Sequence, residues 1–323
     1  MATVLLWAGF FLGYETWEYR EYIEPMAFLT RGLIKVHPLL AAGLAMIMVL
    51  VQALWLNYLA QRSGLLSKTS YLAAFFFLLI SGAPEGNLMP AAVILANVFV
   101  LAALHALINA YDHENTIKSV FHASLFIGIG SLFYFPVLGL WVFILVALII
   151  YRELTYREII FALLGLLPAA GGVILYFFYT GEIIQYLNTV QQQFLSWAIV
   201  VELTLPELAA GGMIFLAMLS SVFFMLSHIN ERTIMIRRFI SLLIWFLVFV
   251  LLLTGYAEDP LQQTIMLSVP LAVFLASIGE SIKKKFIVEW GVWIYILVLT
   301  IYRLQHLIRD GFNFDFPVYK FFV

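Results

Sequence analysis

The chain has no cysteine and very little charge, and both absences limit what it can be. Without cysteine, disulfides, thiolate metal sites and cysteine nucleophiles are excluded. Charged residues make up 11% of the 323 residues, whereas a soluble domain carries roughly 25%. Phosphate-binding glycine loops and the GxSxG and HExxH motifs are also absent. We predict no nucleic-acid partner for such a chain.

Apolar residues account for 64% of the chain and form long continuous runs. A water-soluble fold could not bury this much apolar surface, so the chain must be embedded in a lipid bilayer, which is its predicted partner. Continuous runs favour helices over the alternating ten-residue strands of a barrel. The sequence therefore predicts an all-α, polytopic transmembrane helical bundle that forms a single integral membrane domain over 1–323. The eleven or so predicted spans cover 2–13, 38–60, 69–83, 89–110, 121–135, 137–152, 158–179, 208–228, 238–256, 261–280 and 286–306.

The distribution of lysine and arginine predicts how these helices are oriented. Basic residues follow spans two, four, six, eight and ten, and none follows spans three, five, seven and nine. Because basic loops stay in the cytoplasm, we predict the N-terminus inside and the C-terminus outside. Two long segments, 14–37 and 180–207, are then external. In the second, apolar residues recur at helical spacing, which predicts a helix that lies on the membrane surface or caps the bundle.

The external loop 14–37 combines four glutamates with three bases in an otherwise apolar chain, and we predict the functional site there. Glu15 and Glu18 are the candidate catalytic residues, because a carboxylate can act as a general base or hold a divalent metal. The candidate lipid-phosphate contacts are Arg20, Arg31, Lys35 and His37. The identity of any metal or other cofactor is left open. The alternative is an amphipathic interfacial helix, anchored by its aromatic residues, whose charges stay solvated.

Polar and glycine positions inside the spans each allow two interpretations. His105 shares a helical face with Asn97 and Asn109, which suits hydrogen bonds between helices or, alternatively, a proton path. The pairs Gly171-Gly172 and Gly211-Gly212 suit close packing, although transporters also break helices at such positions. The six histidines do not pair at metal-ligand spacing.

The order of elements resembles the GT-C class of membrane glycosyltransferases, which have a long external first loop and a second one after the seventh span. The run EYREYIEPMAFLTRGLIKVHPLL is similar to their first-loop pattern of aromatic–alanine–leucine, glycine and then His-Pro. The usual aspartate is missing, so Glu15 would replace it. The resemblance implies transfer of a sugar, or a related group, from a polyprenyl-phosphate-linked donor at the external face.

Two other stretches, Gln52 to Glu85 and His122 to Ile160, resemble an uncharacterised multi-pass inner-membrane family of Bacteroidota. That resemblance implies a bacterial inner membrane and a periplasmic external face, and it supplies no catalytic residues. Two further functions stay open beside glycosyl transfer. One is a non-catalytic scaffold or subunit of a cell-envelope complex, with a protein partner. The other is a transporter, which predicts a polar cavity at the midplane of the bilayer.

Overall fold

The computed structural model describes residues 38–82, 91–110, 116–151, 155–195, 200–256, 263–282, 286, 289–298 and 318–322. Within them the chain is helical, apart from one short pair of strands. The helices are α1 (Pro38–Arg62), α2 (Leu72–Ser81), α3 (Ala91–Asn109), α4 (Thr116–Phe133), α5 (Leu140–Tyr151), α6 (Tyr156–Thr180), α7 (Ile183–Leu195), α8 (Leu205–Ser227), α9 (Ile234–Leu253), α10 (Thr264–Ser281) and α11 (Glu289–Val298). Single 3₁₀ turns precede α5, precede α9 and follow α9.

The predicted α-helical fold class is confirmed. The first predicted span, 2–13, and the predicted position of the N-terminus lie outside the described residues. Each of the other ten predicted spans coincides with a helix; the span predicted over 158–179, for example, is α6 at Tyr156–Thr180. Six of the described helices are long and apolar enough to cross a membrane. The chain is therefore a multi-pass membrane protein.

Most of these helices are apolar on every side, because lipid rather than water surrounds the bundle. In α5, with the sequence LWVFILVALIIY, the only polar side-chain groups are the indole N–H of Trp141 and the hydroxyl of Tyr151 at its end. Phe143 and Ile144 of α5 are buried, whereas Val142 and Ile149 are exposed. The residues that face the core therefore have the same chemistry as those that face outward.

Two contacts between helix ends show how the chain alternates between the two ends of the bundle. Ser67, in the loop after α1, donates from Oγ to Oε1 of Glu280 at the end of α10, at 2.9 Å. At the opposite end, Nε2 of Gln263, just before α10, donates to the hydroxyl of Tyr134, just after α4, at 3.2 Å. Loops after spans two and ten therefore meet, as do those after spans five and nine. This pairing matches the predicted alternation of loops.

Gln263 should be one of the most sensitive polar positions in the bundle. It is buried, and Nε2 also donates to the Leu253 carbonyl at 3.1 Å, while Oε1 accepts from Thr254 at 2.9 Å. Gln263→Leu should lower the free energy of unfolding by about 1–3 kcal/mol, because buried partners lose their hydrogen bonds. The measurement is thermal unfolding in detergent, followed by tryptophan fluorescence. Gln61→Leu, which removes one hydrogen bond to the Ser70 carbonyl, is the control and should melt closer to wild type.

Helix α6 is held to the bundle mainly through small residues that face α4. A Cβ on Gly165 would lie 2.5 Å from the carbonyl oxygen of Phe121 and 2.7 Å from Cβ of Ser124. One turn further along, a Cβ on Gly128 of α4 would lie 2.9 Å from Cβ of Ala169. Small side chains let two helix backbones approach closely, which is a common basis for helix association in membranes. The two helices therefore form one closely packed pair.

The part of the chain that the structure describes does not support close packing at Gly171-Gly172 and Gly211-Gly212. There, a Cβ at any of these four positions would meet nothing within 4 Å. The helices are also not broken there, since α6 and α8 each run through their glycine pair without interruption. Among the described glycines, those at which a Cβ would come closer than 3.4 Å to another element are Gly128, Gly130, Gly139 and Gly165. The sequence alone did not separate these two groups, because both lie in apolar stretches.

A helix is confirmed within 180–207, as α7. Gly181 has a φ of 77° and ends α6, and α7 begins two residues later. The Phe177 and Tyr186 rings stack at 4.3 Å, which fixes α7 against the end of α6. Ile184 of α7 is 73% exposed and Leu187 is 57% exposed. These exposed apolar side chains on a helix with polar glutamines are typical of a helix at the membrane surface.

The structure also contains an element that the sequence did not predict. Strand β1 (Val200–Thr204), between α7 and α8, pairs antiparallel with β2 (Val318–Phe322) near the end of the chain. Val200 lies opposite Phe322, and Thr204 lies opposite Val318. The pairing brings the tail beside the segment 180–207. Both were predicted to be external, so their contact agrees with the predicted alternation.

Candidate functional site

The predicted site residues of the first external loop all precede Pro38, where the described part of the chain begins. They are the candidate catalytic residues Glu15 and Glu18 and the candidate phosphate contacts Arg20, Arg31, Lys35 and His37. They therefore lie outside the described residues, and their roles stay predictions. Among the described residues, no group of three or more metal-ligating side chains is close enough to hold a metal ion.

A cavity of about 360 Å³ lies between α2, α8, α10 and α11, and we call it the four-helix cavity. Phe76 and Ile80 of α2 form one wall, and Met213 of α8 and Leu271 of α10 contribute to others. Its size is within the range of small-molecule pockets, which is roughly 300–1,000 Å³. Four helices that are distant in sequence build it, so no local motif could have predicted it.

The walls of the four-helix cavity are almost entirely apolar. Among the side chains that line it, only Ser220 and Tyr295 carry hydroxyl groups. The Ser220 hydroxyl donates to the Ala217 carbonyl of its own helix at 3.0 Å, so it is already used. A charged group placed in such a cavity would lose its hydration, and the Tyr295 hydroxyl alone could not replace it. The cavity is therefore suited to a hydrocarbon chain and unsuited to a phosphate or a free sugar.

Gln52 of α1 and Asn97 of α3 form a buried polar pair inside the bundle. Nδ2 of Asn97 donates to Oε1 of Gln52 at 2.7 Å, and Nε2 of Gln52 donates to the Ile94 carbonyl at 2.9 Å. Both side chains are fully buried. Hydrogen bonding between helices, the first of the two interpretations of this polar face, is therefore confirmed for Asn97.

His105 lies further along the same face of α3, near the end of the helix. Nε1 of Trp55 lies 3.3 Å from its Nδ1, and Nη1 of Arg62 lies 3.2 Å from its Nε2. Both neighbours are donors, so a neutral imidazole can accept a hydrogen bond from only one of them. His105 thus joins α3 to α1, as Asn97 does.

The polar groups of α3 do not form a continuous chain within the described residues. Asn97 and His105 are eight residues apart, which is about 12 Å along a helix. The fully buried Leu101 lies on the face between them. Asn109, the third member of the predicted polar face, has a buried Oδ1 atom with no hydrogen-bond partner in the described part of the chain. This arrangement favours structural hydrogen bonds over a proton path.

Comparison with known proteins gives one match. A family model described as a family of unknown function, DUF6427, matches residues 25–309. No curated protein and no solved structure matches the chain. The family match covers every helix described above, from α1 to α11, and most of the chain. The chain therefore belongs to DUF6427, a family of unknown function.

Proposed function

We propose that this protein binds a polyprenyl-phosphate-linked donor and transfers its sugar, or a related group, at the periplasmic face of a bacterial inner membrane, as a GT-C-like enzyme. The observation that carries the proposal is the four-helix cavity, whose apolar walls suit a lipid tail. In a bilayer, a lipid tail would approach such a cavity through apolar surroundings. A phosphate-linked headgroup does not suit these walls and would have to be held elsewhere.

In this proposal the headgroup is held by the first external loop. Glu15 is the general base or the ligand of a divalent metal, and Glu18 is the second candidate. The cations that would neutralise the donor phosphate are Arg20, Arg31, Lys35 and His37. Tail and headgroup therefore have separate sites, one in the bundle and one in the loop. Each site can be disabled by substitutions that leave the other unchanged.

The tail site is tested by filling the cavity from two sides. Ala217→Trp, on α8, and Gly291→Phe, on α11, each place a large side chain where the cavity lies. The wild-type protein should co-purify with polyprenyl phosphate lipids, and both variants should lose at least about nine tenths of them, because tail and side chain compete for one volume. The measurement is mass spectrometry of lipids extracted from the purified protein.

The matched control is Leu216→Trp, the neighbouring residue on α8, which is 66% exposed and does not line the cavity. This variant should keep the lipid of the wild type. If the wild type carries only phospholipids in the proportions of its membrane, the isoprenoid donor is wrong. If all three variants retain the same lipid, the cavity is not its site.

A second function, a non-catalytic scaffold or subunit of a cell-envelope complex, is favoured by the uncovered face of α6. Only 22% of this candidate span is buried within the protein, the lowest share of the six described candidates. Leu175 and Phe178 are about 70% exposed, at 69% and 72%. A protein partner on this face would co-purify at a fixed ratio, and the cavity would then hold no specific lipid.

A transporter stays the third candidate, and no described feature favours it.

A further inference from the structure

The loop after α1 and the starting turn of α9 meet at one end of the bundle. A Cβ on Gly64 would lie 3.8 Å from Cδ1 of Ile236, so the Ile236 side chain lies against the backbone at Gly64. Beside this contact, both carboxylate oxygens of Glu280 accept from the Ser67 amide and hydroxyl, at 2.9–3.3 Å. The ends of α1 and α10 and the start of α9 are therefore held together. This is the end that the distribution of basic residues assigns to the cytoplasm.

Five cations lie within four residues of Gly64 or Ile236 along the chain. Arg238 already has an interaction partner, and we call the other four the inner basic patch: Arg62, Lys68, Arg232 and Arg237. Within the described residues, none of the four forms a salt bridge with a carboxylate. Arg62 instead contacts the Tyr58 hydroxyl at 3.4 Å and the His105 ring. Lys68 is exposed, and Arg232 and Arg237 are half-buried. Their positive charge is therefore not neutralised by this part of the chain.

Few described carboxylates are available near the inner basic patch. Glu280 already accepts hydrogen bonds from Ser67 through both oxygens. Glu231 is exposed and stands next to Arg232 in sequence without forming a salt bridge with it. Cations thus outnumber these carboxylates by four to two. Beyond Glu280, the sequence adds three further lysines at 283–285, which lie outside the described residues.

We propose that the inner basic patch binds the headgroups of anionic phospholipids in the adjoining leaflet. All four cations lie at or next to the ends of apolar helices, where lipid phosphates are found. Clusters of lysine and arginine directly beside membrane spans attract anionic lipids by this means. The site is distinct from the four-helix cavity, because it selects headgroup charge and not the lipid tail. The inference does not depend on the proposed enzymatic function.

The test uses the full chain in an uncharged detergent. Short-chain phosphatidylglycerol is titrated, with phosphatidylcholine and inorganic phosphate as separate comparators, and binding is followed by the shift in melting temperature. Wild-type protein should bind phosphatidylglycerol in preference to both comparators. The double variant Arg232→Gln/Arg237→Gln should bind it about 30-fold more weakly, since each cation at the surface adds a similar increment of attraction.

Two further double variants make the result specific. Lys118→Gln/Arg157→Gln removes the same amount of charge from α4 and α6, at the same predicted end of the bundle but outside the patch. The affinity of this variant for phosphatidylglycerol should differ from that of the wild type by less than about threefold. Arg232→Lys/Arg237→Lys keeps the charge and should retain binding, which separates lost binding from faulty folding. Equal weakening in both glutamine variants would overturn the proposal. So would a shift of the same size with inorganic phosphate, since a lipid surface would then not be required.

Discussion

Replacing Gly165 with leucine should cost the protein at least about 3 kcal/mol of stability, at the upper end of the usual cost of overpacking. A Cβ at this position would already lie 2.5 Å from the Phe121 carbonyl oxygen and 2.7 Å from Cβ of Ser124. The nearest obstacle is backbone, which cannot move aside by changing a rotamer. Accommodating leucine therefore requires α6 to move away from α4.

The consequence of that movement is large because α6 depends on this contact. Its remaining surface is mostly exposed, and a further hydrogen bond to α5 runs from Nε1 of Trp141 to the Ala162 carbonyl at 3.1 Å. The fluorescence of Trp141 should therefore change when α6 moves away from α5. We expect Gly165→Leu to lower the melting temperature and to alter tryptophan fluorescence before global unfolding.

Gly172→Leu is the control for this experiment, since it introduces the same side chain two turns later in the same helix. A Cβ at Gly172 would meet none of the described residues within 4 Å, so leucine there should be tolerated. It also removes a helix-interior glycine, which adds up to about 1 kcal/mol of helix stability. A result in which Gly172→Leu melts below Gly165→Leu would contradict the packing of α4 against α6.

Glu15→Gln should lower the rate of group transfer by at least about 100-fold, because general-base catalysis contributes roughly 10²–10⁴-fold. The carboxamide has nearly the shape of the carboxylate but can neither accept a proton at neutral pH nor supply negative charge to a divalent metal. The amount of protein in the membrane should not change. The measurement is transfer from a polyprenyl-phosphate-linked sugar by protein reconstituted in vesicles.

The amount of co-purified lipid distinguishes loss of the Glu15 carboxylate from loss of the tail-binding cavity. Glu15→Gln should retain the co-purified lipid, whereas Ala217→Trp should lose the lipid and the activity together. Glu24→Gln, in the same external loop, is the control and should keep near wild-type activity. Full activity of Glu15→Gln would refute its catalytic role, and Glu18→Gln would then be the variant to examine. If no donor supports transfer by the wild type, the scaffold function is favoured.

Much of the secondary structure could be predicted from hydropathy alone. The span predicted over 38–60 is α1 at Pro38–Arg62, and the span predicted over 261–280 is α10 at Thr264–Ser281. In a bilayer, unpaired backbone groups are very costly, so a long apolar run has almost no alternative to a helix. The charge distribution likewise predicted which loops lie at the same end of the bundle, and the contact between Ser67 and Glu280 agrees with it.

The packing of the helices could not be predicted in the same way. In a soluble helix the polar face identifies the outside, but lipid is as apolar as the core, so this signal is lost. Gly165 and Gly172 look equivalent in sequence, yet a Cβ on Gly165 would meet α4 and one on Gly172 would meet no described residue within 4 Å. The buried pair Gln52 and Asn97 was partly foreseen, because a polar residue in an apolar span needs a hydrogen-bond partner.

By itself, the sequence determined that the protein is a multi-pass bundle of helices, where most of its spans begin and end, and how its loops alternate. Only the tertiary structure decided where the four-helix cavity lies, which glycines pack, and that residues 200–204 pair with 318–322. The physical reason is the range of the interactions. Hydropathy and charge act on each segment separately, whereas a cavity or a strand pair depends on segments that are far apart in the chain.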